Sequence, residues 1–479
     1  MVDMAIEKGP FEPTWESLRQ FQCPGWYRDA KFGIWSHWGP QSVPMYGDWY
    51  ARHMYVEGHD QYRYHIRKYG HPSKFGYKDV IKLWKAEKFD PEGLMSLYVE
   101  AGAKYFVAQA AHHDNFHNWN SSQHRWNSVK MGPQKDIVAL WQSAAHKAGL
   151  PFGFSEHIGA TFSWYKPNKG ADQAGPYAGV PYDGNDPACE DLYLPNRDFP
   201  GIEVEWYTRS PWWHEKWFTY VKELIDLYHP DLLYSDGGVP FGQYGLNIIA
   251  HLYNTSARLH NGVNQAVYNQ KDKNVDVLSV GVYDIERSQT PAIFPYVWQT
   301  DTSVGDWFYN VRDIYKTPKQ LAEMLVDIVS KNGNLLLNIP QRPDGSLDDE
   351  CIYLLQRTAA WIKINGEGIY GTRPWTVAGE GPTSVLIEGF REEAVSWSIE
   401  DFRFTAKDNL VYAFQMKWPE GGKTVIRCLA TGNGPTVTNV TLLGAGVVNF
   451  EQNSRGLAID LLEQKPCDYA QCLRVTLAL

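Results

Sequence analysis

The stretch DIVALWQSAAHKAGLPFGFS, residues 136–155, contains a helix pattern followed by a strand pattern. Residues Asp136 to Lys147 predict a helix, and Gly149 ends it. The apolar run from Pro151 to Ser155 then predicts a buried strand. A helix joined to a strand by so short a turn is typical of an α/β fold.

The same helix-then-strand pattern recurs along the chain, after an entry arm over residues 1–30 with one predicted helix. The further predicted pairs are Asp90–Gly102 before Lys104–Ala110, Trp217–Tyr228 before Asp231–Ser235, and Thr317–Lys331, ended by Gly333, before Asn334–Asn338. Alternation of this kind predicts a parallel sheet with helical crossovers. Over about 340 residues we expect a (β/α) TIM-like barrel, and no glycine-rich phosphate loop follows any predicted strand.

The pattern changes after about Thr376, where short alternating segments are separated by Gly and Pro. These segments are Val385–Glu388, Leu410–Gln415, Lys423–Cys428 and Gly456–Asp460. They predict an antiparallel β-sandwich. We therefore predict a catalytic barrel domain over residues 1–375 and a C-terminal β-sandwich domain over residues 376–479.

Composition excludes several classes of function. The 479 residues carry a net charge of −10 and no long basic run, which argues against nucleic-acid binding. No run of about 20 apolar residues is present, so we expect no membrane span. The six cysteines are scattered without a CxxC pair, which argues against a zinc site. Homo-oligomerisation stays open.

Acidic side chains follow two of the expected barrel strands. Asp236 comes directly after the strand Asp231–Ser235, and Tyr234 points to the same face because it lies two residues earlier. Glu286 follows another short strand and is adjacent to Arg287. Two carboxylates at the mouth of a barrel are what glycoside hydrolysis needs, and a retaining enzyme holds them about 5–5.5 Å apart. A turn cap at Asp236 and a surface pair at Glu286 are the structural alternatives.

Histidines and aromatic rings suggest a sugar site. His37 lies between Trp35 and Trp38 in the segment Lys31–Pro40, which suits the apolar faces and hydroxyl edges of a sugar or, alternatively, an aromatic core strand. His112 and His113 follow a strand, where neutral imidazoles can bind hydroxyls. A metal site with His113 and His117 as ligands is an alternative, although that spacing needs a helix.

Two further pairs combine a carboxylate with a ring. Asp48 precedes Trp49 in a loop, and Glu156 precedes His157 after a predicted strand. A carboxylate can accept hydrogen bonds from two sugar hydroxyls while an aromatic ring covers the apolar face of the sugar. We predict that all four residues bind substrate, with packed and capped loops as the alternative.

Five segments together resemble the retaining α-L-fucosidases of glycoside hydrolase family 29. They are Lys31–Tyr50, His112–Asp114, Asp231–Gly237, Trp298–Trp307 and Asn332–Pro340. The resemblance covers most of residues 20–345 in the family's order. It implies a (β/α) barrel followed by a β-sandwich, and no cofactor or metal. It also implies secretion or a periplasmic location with a signal already removed, while a cytoplasmic location stays open.

The resemblance also implies roles for particular residues. Asp236 matches the nucleophile, and His37, His112 and His113 match residues that bind sugar hydroxyls. Arg287 matches a family arginine that orients the substrate or the nucleophile.

Four positions depart from the family pattern. Asp48 stands where many members have Glu, Tyr234 stands where Trp is common, and Asn115 stands where Gly is usual. Gln299 follows Trp298 where many members have the acid/base Glu, and Gln cannot donate the proton. Other family members supply the acid/base from an E-R segment just upstream, which Glu286 and Arg287 resemble, so the resemblance implies that Glu286 is the acid/base. We include Trp298 among the substrate-binding residues.

The sequence thus predicts a retaining exo-glycosidase that releases α-L-fucose from glycans by double displacement. One alternative is an α-L-galactosidase, because an apolar pocket rejects one added hydroxyl weakly. A second is a sugar-binding relative with impaired catalysis, which Gln299 permits. A third is a metal-dependent hydrolase that uses the histidine cluster.

Overall fold

A computed structural model describes residues 4–201, 203–385, 392, 395–432 and 435–478. Of the predicted strand Val385–Glu388, all but the first residue lies outside the described residues.

Eight parallel strands form a closed barrel, in which each strand pairs with the next along the chain. The strands are β1 Phe32–Ser36, β2 Tyr105–Ala111, β3 Phe152–Glu156, β4 Leu232–Ser235, β5 Val267–Gln270, β6 Val282–Asp284, β7 Trp298–Ser303 and β8 Gly333–Asn338. Pairing of Phe32 with Leu335 closes the barrel between β1 and β8. Every residue of these strands is buried, as parallel strands covered by helices require. The predicted barrel is confirmed.

Helices cover the barrel and lie in the loops at its ends. The α-helices are α1 Trp15–Leu18, α2 Gly25–Ala30, α3 Tyr50–His53, α4 Asp60–Lys68, α5 Tyr77–Leu83, α6 Pro91–Glu100, α7 Ile137–Lys147, α8 Thr161–Trp164, α9 Glu190–Tyr193, α10 Pro211–Tyr228, α11 Gln243–Leu259, α12 Val275–Leu278, α13 Pro318–Ser330 and α14 Asp349–Asn365. Short 3-10 helices span Pro40–Ser42, Lys166–Lys169, Asp183–Asn185, Pro187–Cys189, Gly366–Gly368 and Arg427–Leu429.

Helix ends follow local capping chemistry, with two departures from the predicted bounds. Asp90 caps α6 by accepting from the Gly93 backbone N–H at 3.0 Å. Helix α10 begins at Pro211, six residues before the predicted start, because proline suits the first turn of a helix. Gly333 does not end α13 but begins β8. Asn332, at φ 75°, makes the left-handed turn between them.

Two antiparallel sheets form the C-terminal part of the chain, which confirms the predicted sandwich. Their strands are β9 Arg373–Glu380, β10 Phe402–Lys407, β11 Leu410–Gln415, β12 Lys423–Ile426, β13 Val437–Leu442, β14 Gly446–Val447, β15 Phe450–Asn453, β16 Gly456–Asp460 and β17 Gln471–Leu477. The six-stranded sheet has the order β14-β13-β17-β11-β10-β9, and the other has the order β12-β16-β15. Phe404 and Val475 of the first sheet share one buried cluster with Ile426 and Leu457 of the second.

Helix α13 of the barrel packs against β9 and β10. The boundary between residues 375 and 376 stays a prediction. Within the described ranges, none of the helices is long and apolar enough to cross a membrane.

Candidate active site

A cavity of about 300 Å³ opens at the carboxyl ends of the barrel strands, where barrel chemistry is found. It is lined by Trp35, His37, Asp48, Trp49, His112, His113, His157, Trp206, Tyr234, Asp236, Lys271, Glu286, Asp301 and Trp307. These residues come from β1, β4 and β7 and from the loops that follow the first seven strands. Nine of the twelve residues that the sequence predicted for the site lie in this lining.

Asp236 follows β4 directly and is held from several sides. The backbone N–H of Asp236 donates to the Glu156 carbonyl at 3.2 Å. The Trp206 indole donates to the backbone carbonyl of Asp236. Burial alone would raise the pKa of the Asp236 carboxyl, but Lys271, His157 and His113 lower it below the ordinary range. Asp236 is therefore an anion at neutral pH, which is the form a nucleophile needs.

Lys271 follows β5 and joins the two predicted catalytic carboxylates. Its Nζ atom lies 2.9 Å from Asp236 Oδ1 and 2.5 Å from Glu286 Oε2. The two carboxylate oxygens are therefore at most about 5.4 Å apart, the two contact lengths added together. Burial would lower the pKa of Lys271, but Asp236, Asp301 and Glu286 raise it well above its ordinary value. Lys271 stays a cation.

Opposing effects act on Glu286. Burial raises the pKa of its carboxyl, Lys271 lowers it, and the charges of Asp301 and Asp236 raise it again, which leaves a pKa above the ordinary value. Arg287 does not contact this carboxylate. Its guanidinium lies 4.7 Å from the centre of the Trp307 ring and donates to the Gly305 carbonyl at 2.8 Å.

Two histidines present opposite hydrogen-bonding groups to the cavity. The Gln41 amide donates to His112 Nδ1 at 2.8 Å, so neutral His112 carries its proton on Nε2. His113 Nδ1 donates to the His157 carbonyl, so its Nε2 is a free acceptor, 3.7 Å from Asp236 Oδ2. Burial is the largest cause that lowers the pKa of both rings, to about 3 for His113, and keeps both neutral.

Several buried polar atoms of the lining have no hydrogen-bond partner among the described residues. They are both ring nitrogens of His37, Nδ1 of His157, Oδ1 of Asp48 and Oδ1 of Asp301. Buried polar groups are nearly always paired, so the atoms of His37, His157 and Asp48 are placed for a polar ligand. Burial, and then the neighbouring Asp306, raises the pKa of the Asp48 carboxyl well above its ordinary value.

The rings that could hold a metal differ from the predicted pair. Ligand nitrogens of His37, His112 and His157 lie within 4.8 Å of one another. His117, predicted as a ligand beside His113, instead stacks on Trp119 at 3.8 Å in the protein core. It joins no metal-binding group in the described part of the chain. The three clustered rings are neutral and equally suited to bind hydroxyls.

Aromatic rings cover much of the remaining wall. Trp35 lies 5.4 Å from Trp307 and 4.9 Å from Tyr234, measured between ring centres. Trp206 approaches His113 edge-on at 5.2 Å, and Trp49 does so at 6.0 Å. Apolar ring faces beside hydrogen-bonding edges match a sugar.

Three predicted binding residues lie outside the lining. Glu156 is buried beneath Asp236, where its carboxylate accepts from Ser235 Oγ at 2.5 Å and from Trp217 Nε1 at 3.0 Å. Trp298 is buried in the core, and its indole donates to the Lys331 carbonyl at 2.9 Å. The prediction that Glu156 and Trp298 bind substrate is corrected, because other protein groups already engage the polar atoms of both side chains.

Arg287 is the third of these residues, and its guanidinium lines a different cavity. Gln299 is fully buried inside the barrel, where Oε1 accepts from the hydroxyls of Tyr27 and Tyr105 at 2.8 Å each. Its Nε2 donates to Asp284 at 2.5 Å. Gln299 therefore lies at a structural position, and its identity does not decide the proton donor.

The sequence did not single out Lys271, Asp301, Trp206 or Trp307 as site residues. Asp301 accepts from the Tyr234 hydroxyl at 2.9 Å. Asp301 and Trp307 belong to the segment Trp298–Trp307 that carried the resemblance, which was a usable signal. Lys271 comes directly after β5, a polar residue at a strand end like the others.

Comparisons with known proteins agree with the fold. A family model described as Alpha-L-fucosidase matches residues 2–367, and one described as Alpha-L-fucosidase C-terminal domain matches residues 397–476. The tissue alpha-L-fucosidase of Rattus norvegicus is 30% identical over 471 residues, which cover 95% of this chain and 89% of the rat protein.

Further relatives match over similar lengths. The plasma alpha-L-fucosidase of Homo sapiens is 29% identical, with 97% of this chain and 92% of that protein covered. A solved structure of Thermotoga maritima alpha-fucosidase in complex with fucose is 26% identical, with a TM-score of 0.75. That match covers 97% of this chain and 100% of the other.

Proposed function

The chain belongs to the α-L-fucosidase family of glycoside hydrolases, and on that premise we propose that it releases α-L-fucose from glycans by a retaining double displacement. Membership confirms the resemblance that the sequence carried. The observation that supports this mechanism best is the contact of one lysine, Lys271, with both Asp236 and Glu286. A separation of at most about 5.4 Å between the two carboxylate oxygens suits a nucleophile and an acid/base better than the 6.5–9.5 Å of an inverting pair.

In the first step, an Asp236 carboxylate oxygen attacks the anomeric carbon and forms a bond to it. The bond from that carbon to the leaving oxygen breaks, and Glu286 gives its proton to this oxygen. The low pKa of Asp236 supplies the anion, and the raised pKa of Glu286 favours the protonated form at the start. The products are a covalent glycosyl-enzyme and the free alcohol.

In the second step, Glu286 takes a proton from water, and the water oxygen displaces Asp236 from the anomeric carbon. Glu286 must act here as a carboxylate, a form that Lys271 stabilises. The opposing effects of burial and of Lys271 thus allow one group to serve as acid and then as base.

The sugar hydroxyls would be held by the neutral histidines. His112 offers an N–H and His113 offers an acceptor nitrogen, while His37 and Asp48 bring polar atoms that the described protein groups leave unpaired. Hydroxyl groups can pair with all of these. Trp35 and Trp307 would cover an apolar face of the ring. Action outside the cytoplasm and self-association stay predictions.

Hydrolysis of 4-nitrophenyl α-L-fucoside and of the matching α-L-galactoside, with the purified protein, tests the proposal. We expect turnover of the fucoside, loss of turnover in Asp236→Ala, and recovery of activity by azide in Glu286→Ala. Asp272→Ala is a matched control, because Asp272 is an exposed acid beside Lys271 that does not line the cavity. Faster hydrolysis of the α-L-galactoside would favour an α-L-galactosidase. Normal turnover in Asp236→Ala would refute the assignment of Asp236 as the nucleophile.

A further inference from the structure

A second pair of carboxyl groups lies near Lys271, inside the barrel. Asp284 is the last residue of β6, and Asp301 belongs to β7. Strand pairing places Asp284 opposite Gln299, and Asp301 is two residues further along β7, so its side chain points to the same face as that of Gln299. Both carboxyl groups are buried, and a side-chain hydrogen bond joins them.

This hydrogen bond requires a proton on one of the two carboxyl groups, because an ionised carboxylate has acceptors and no donor. Oδ1 of Asp284 and Oδ1 of Asp301 are both buried, and no donor group of the described residues reaches either of them. Buried polar atoms are nearly always paired. A proton held between the two carboxyl groups gives both oxygen atoms a partner.

The other partners of the pair decide which carboxyl group holds the proton. Oδ2 of Asp301 accepts from the Tyr234 hydroxyl at 2.9 Å and lies 3.6 Å from Lys271 Nζ, so a cation faces it. Oδ2 of Asp284 accepts from the neutral Gln299 amide at 2.5 Å. Burial, and then the charge of Asp301, raises the pKa of the Asp284 carboxyl well above its ordinary value, although Lys271 acts in the opposite direction. Asp284 is therefore the acid, and Asp301 is the anion.

We propose that Asp284 and Asp301 share one proton and that this pair positions the ammonium group of Lys271 between the two catalytic carboxylates. The catalytic part of this inference rests on the proposed function. The proton of Asp284 fixes the direction of the Asp301 carboxylate. That carboxylate approaches Lys271 from a third side, besides the contacts of Lys271 with Asp236 and Glu286. Asp284 and Asp301 are positioning residues, because both act through Lys271.

The charge of the site shows why this proton matters. Four carboxyl groups act on the ammonium group of Lys271, and each of them raises its pKa. With all four ionised, a buried site would hold three negative charges more than this one cation balances. Protons on Asp284 and Glu286 reduce that excess to one charge. The other titratable groups that act on the pair are neutral at neutral pH, and they are Tyr27, Tyr105, Tyr234, Tyr283 and His157.

Two isosteric substitutions distinguish the acid from the anion. In Asp284→Asn, an amide N–H replaces the carboxyl O–H that faces Asp301, and the amide oxygen still accepts from Gln299, so no charge is lost. With phenyl α-L-fucoside, whose leaving group needs the proton, we expect kcat/KM within about threefold of the wild type and an unchanged pH profile. Asp301→Asn removes an anion that raises the pKa of Glu286, so the alkaline limb of its profile should move to lower pH.

Asp284→Ala tests the positioning role, because it has the same charge as Asp284→Asn but offers no donor to Asp301. We expect it to lower kcat/KM by about tenfold or more, a loss that the asparagine substitution avoids. Wild-type activity in Asp284→Ala would overturn the positioning role. An alkaline limb that moves as far in Asp284→Asn as in Asp301→Asn would show that Asp284 is ionised, and would overturn the shared proton. An unmoved limb in Asp301→Asn would overturn the anion at Asp301.

Infrared difference spectra provide a readout that does not depend on catalysis, because the C=O stretch of a protonated carboxyl group is separated from the bands of a carboxylate. At pH 7, the spectrum of the wild type minus that of Asp284→Asn should contain the band of a protonated carboxyl group. Absence of this band would overturn the shared proton. If the wild type hydrolyses no fucoside, the proposed function and the positioning role both fail, whereas the band would still support the shared proton.

Discussion

Lys271 changes the electrostatic account of the site. The sequence places Arg287 next to Glu286, and the resemblance implies that Arg287 orients the substrate or the nucleophile. The guanidinium instead lies against Trp307, and the ammonium group of Lys271 lies between Asp236 and Glu286. One cation thus stabilises the charged forms of both carboxylates. Lys271 follows β5, whereas Asp236 follows β4 and Glu286 follows β6.

Replacement of Lys271 by Met is expected to move the whole pH profile of kcat/KM to higher pH. Without the cation, the pKa values of Asp236 and Glu286 both rise, because Lys271 lowers each of them. The acid limb moves up because Asp236 gains its proton at higher pH, and the alkaline limb moves up because Glu286 keeps its proton longer. Profiles must extend below pH 4 to reach the acid limb of the wild type, because the pKa of Asp236 lies below its ordinary value, and they must extend to about pH 9 for the alkaline limb.

Lys273→Met is the matched control, because Lys273 is an exposed lysine two residues away and outside the candidate active site. Its profile should coincide with that of the wild type. Unchanged limbs in Lys271→Met would show that Lys271 does not set either pKa.

At the scale of the element, the turn after β4 is shaped by close packing at Gly237. This residue has φ 140°, and a Cβ atom there would lie 2.1 Å from the Tyr207 hydroxyl and 2.9 Å from Trp206 Nε1. The Trp206 indole also donates to the Asp236 carbonyl and lines the cavity. A side chain at position 237 would therefore displace the wall beside the nucleophile.

Gly237→Ala is expected to lower kcat/KM by tenfold or more and the free energy of unfolding by about 1–3 kcal/mol. Gly242→Ala is the control that introduces backbone strain without displacing neighbouring side chains. Gly242 has φ 60°, but a Cβ atom added there would have no atom within 4 Å. This substitution should cost about 1 kcal/mol of stability and leave kcat/KM unchanged. Equal activity of the two variants would refute the role of packing at Gly237. Steady-state kinetics and urea unfolding provide the two readouts.

The elements themselves could be predicted because their signals are local. Asp90 caps its helix by accepting from the backbone N–H of Gly93, which is three residues later. The apolar run that begins at Phe152 forms strand β3, Phe152–Glu156, as its sequence predicts. The roles of Glu156 and Gln299 could not be predicted in this way. Glu156 is engaged by Trp217 and Ser235, and such partners from distant parts of the chain become neighbours only in the closed barrel.

At the scale of the whole molecule, one buried ionic network joins the barrel to the sandwich. Asp327 of α13 lies 2.5 Å from Arg403 Nε of β10 and 2.8 Å from Lys331 Nζ. Burial would raise the pKa of the Asp327 carboxyl, but Lys331 and Arg403 lower it below the ordinary value. Since the folded-state pKa is depressed, this stabilisation is present above the unfolded-state pKa of about 3.9 and is lost as the pH falls through the folded-state pKa.

Arg403→Ala is expected to lower the free energy of unfolding by about 3 kcal/mol, because it leaves a buried carboxylate with one cation instead of two. Arg427→Ala removes an exposed partner of Glu400, whose pair has side chains 65% and 48% exposed, and should cost less than about 1 kcal/mol. Urea unfolding at pH 7 compares them. Equal costs for the two variants would contradict a stabilising role for the buried network.

The most direct measurement of the proposed mechanism is covalent trapping with 2-deoxy-2-fluoro-α-L-fucosyl fluoride, followed by peptide mass spectrometry. The fluorine at C2 slows hydrolysis of the glycosyl-enzyme, so the intermediate accumulates. We expect one fluorofucosyl group per chain, attached to Asp236, and no labelling of Asp236→Ala. A label on another residue, or turnover of fucosides in which the first sugar released has the inverted configuration, would contradict the account.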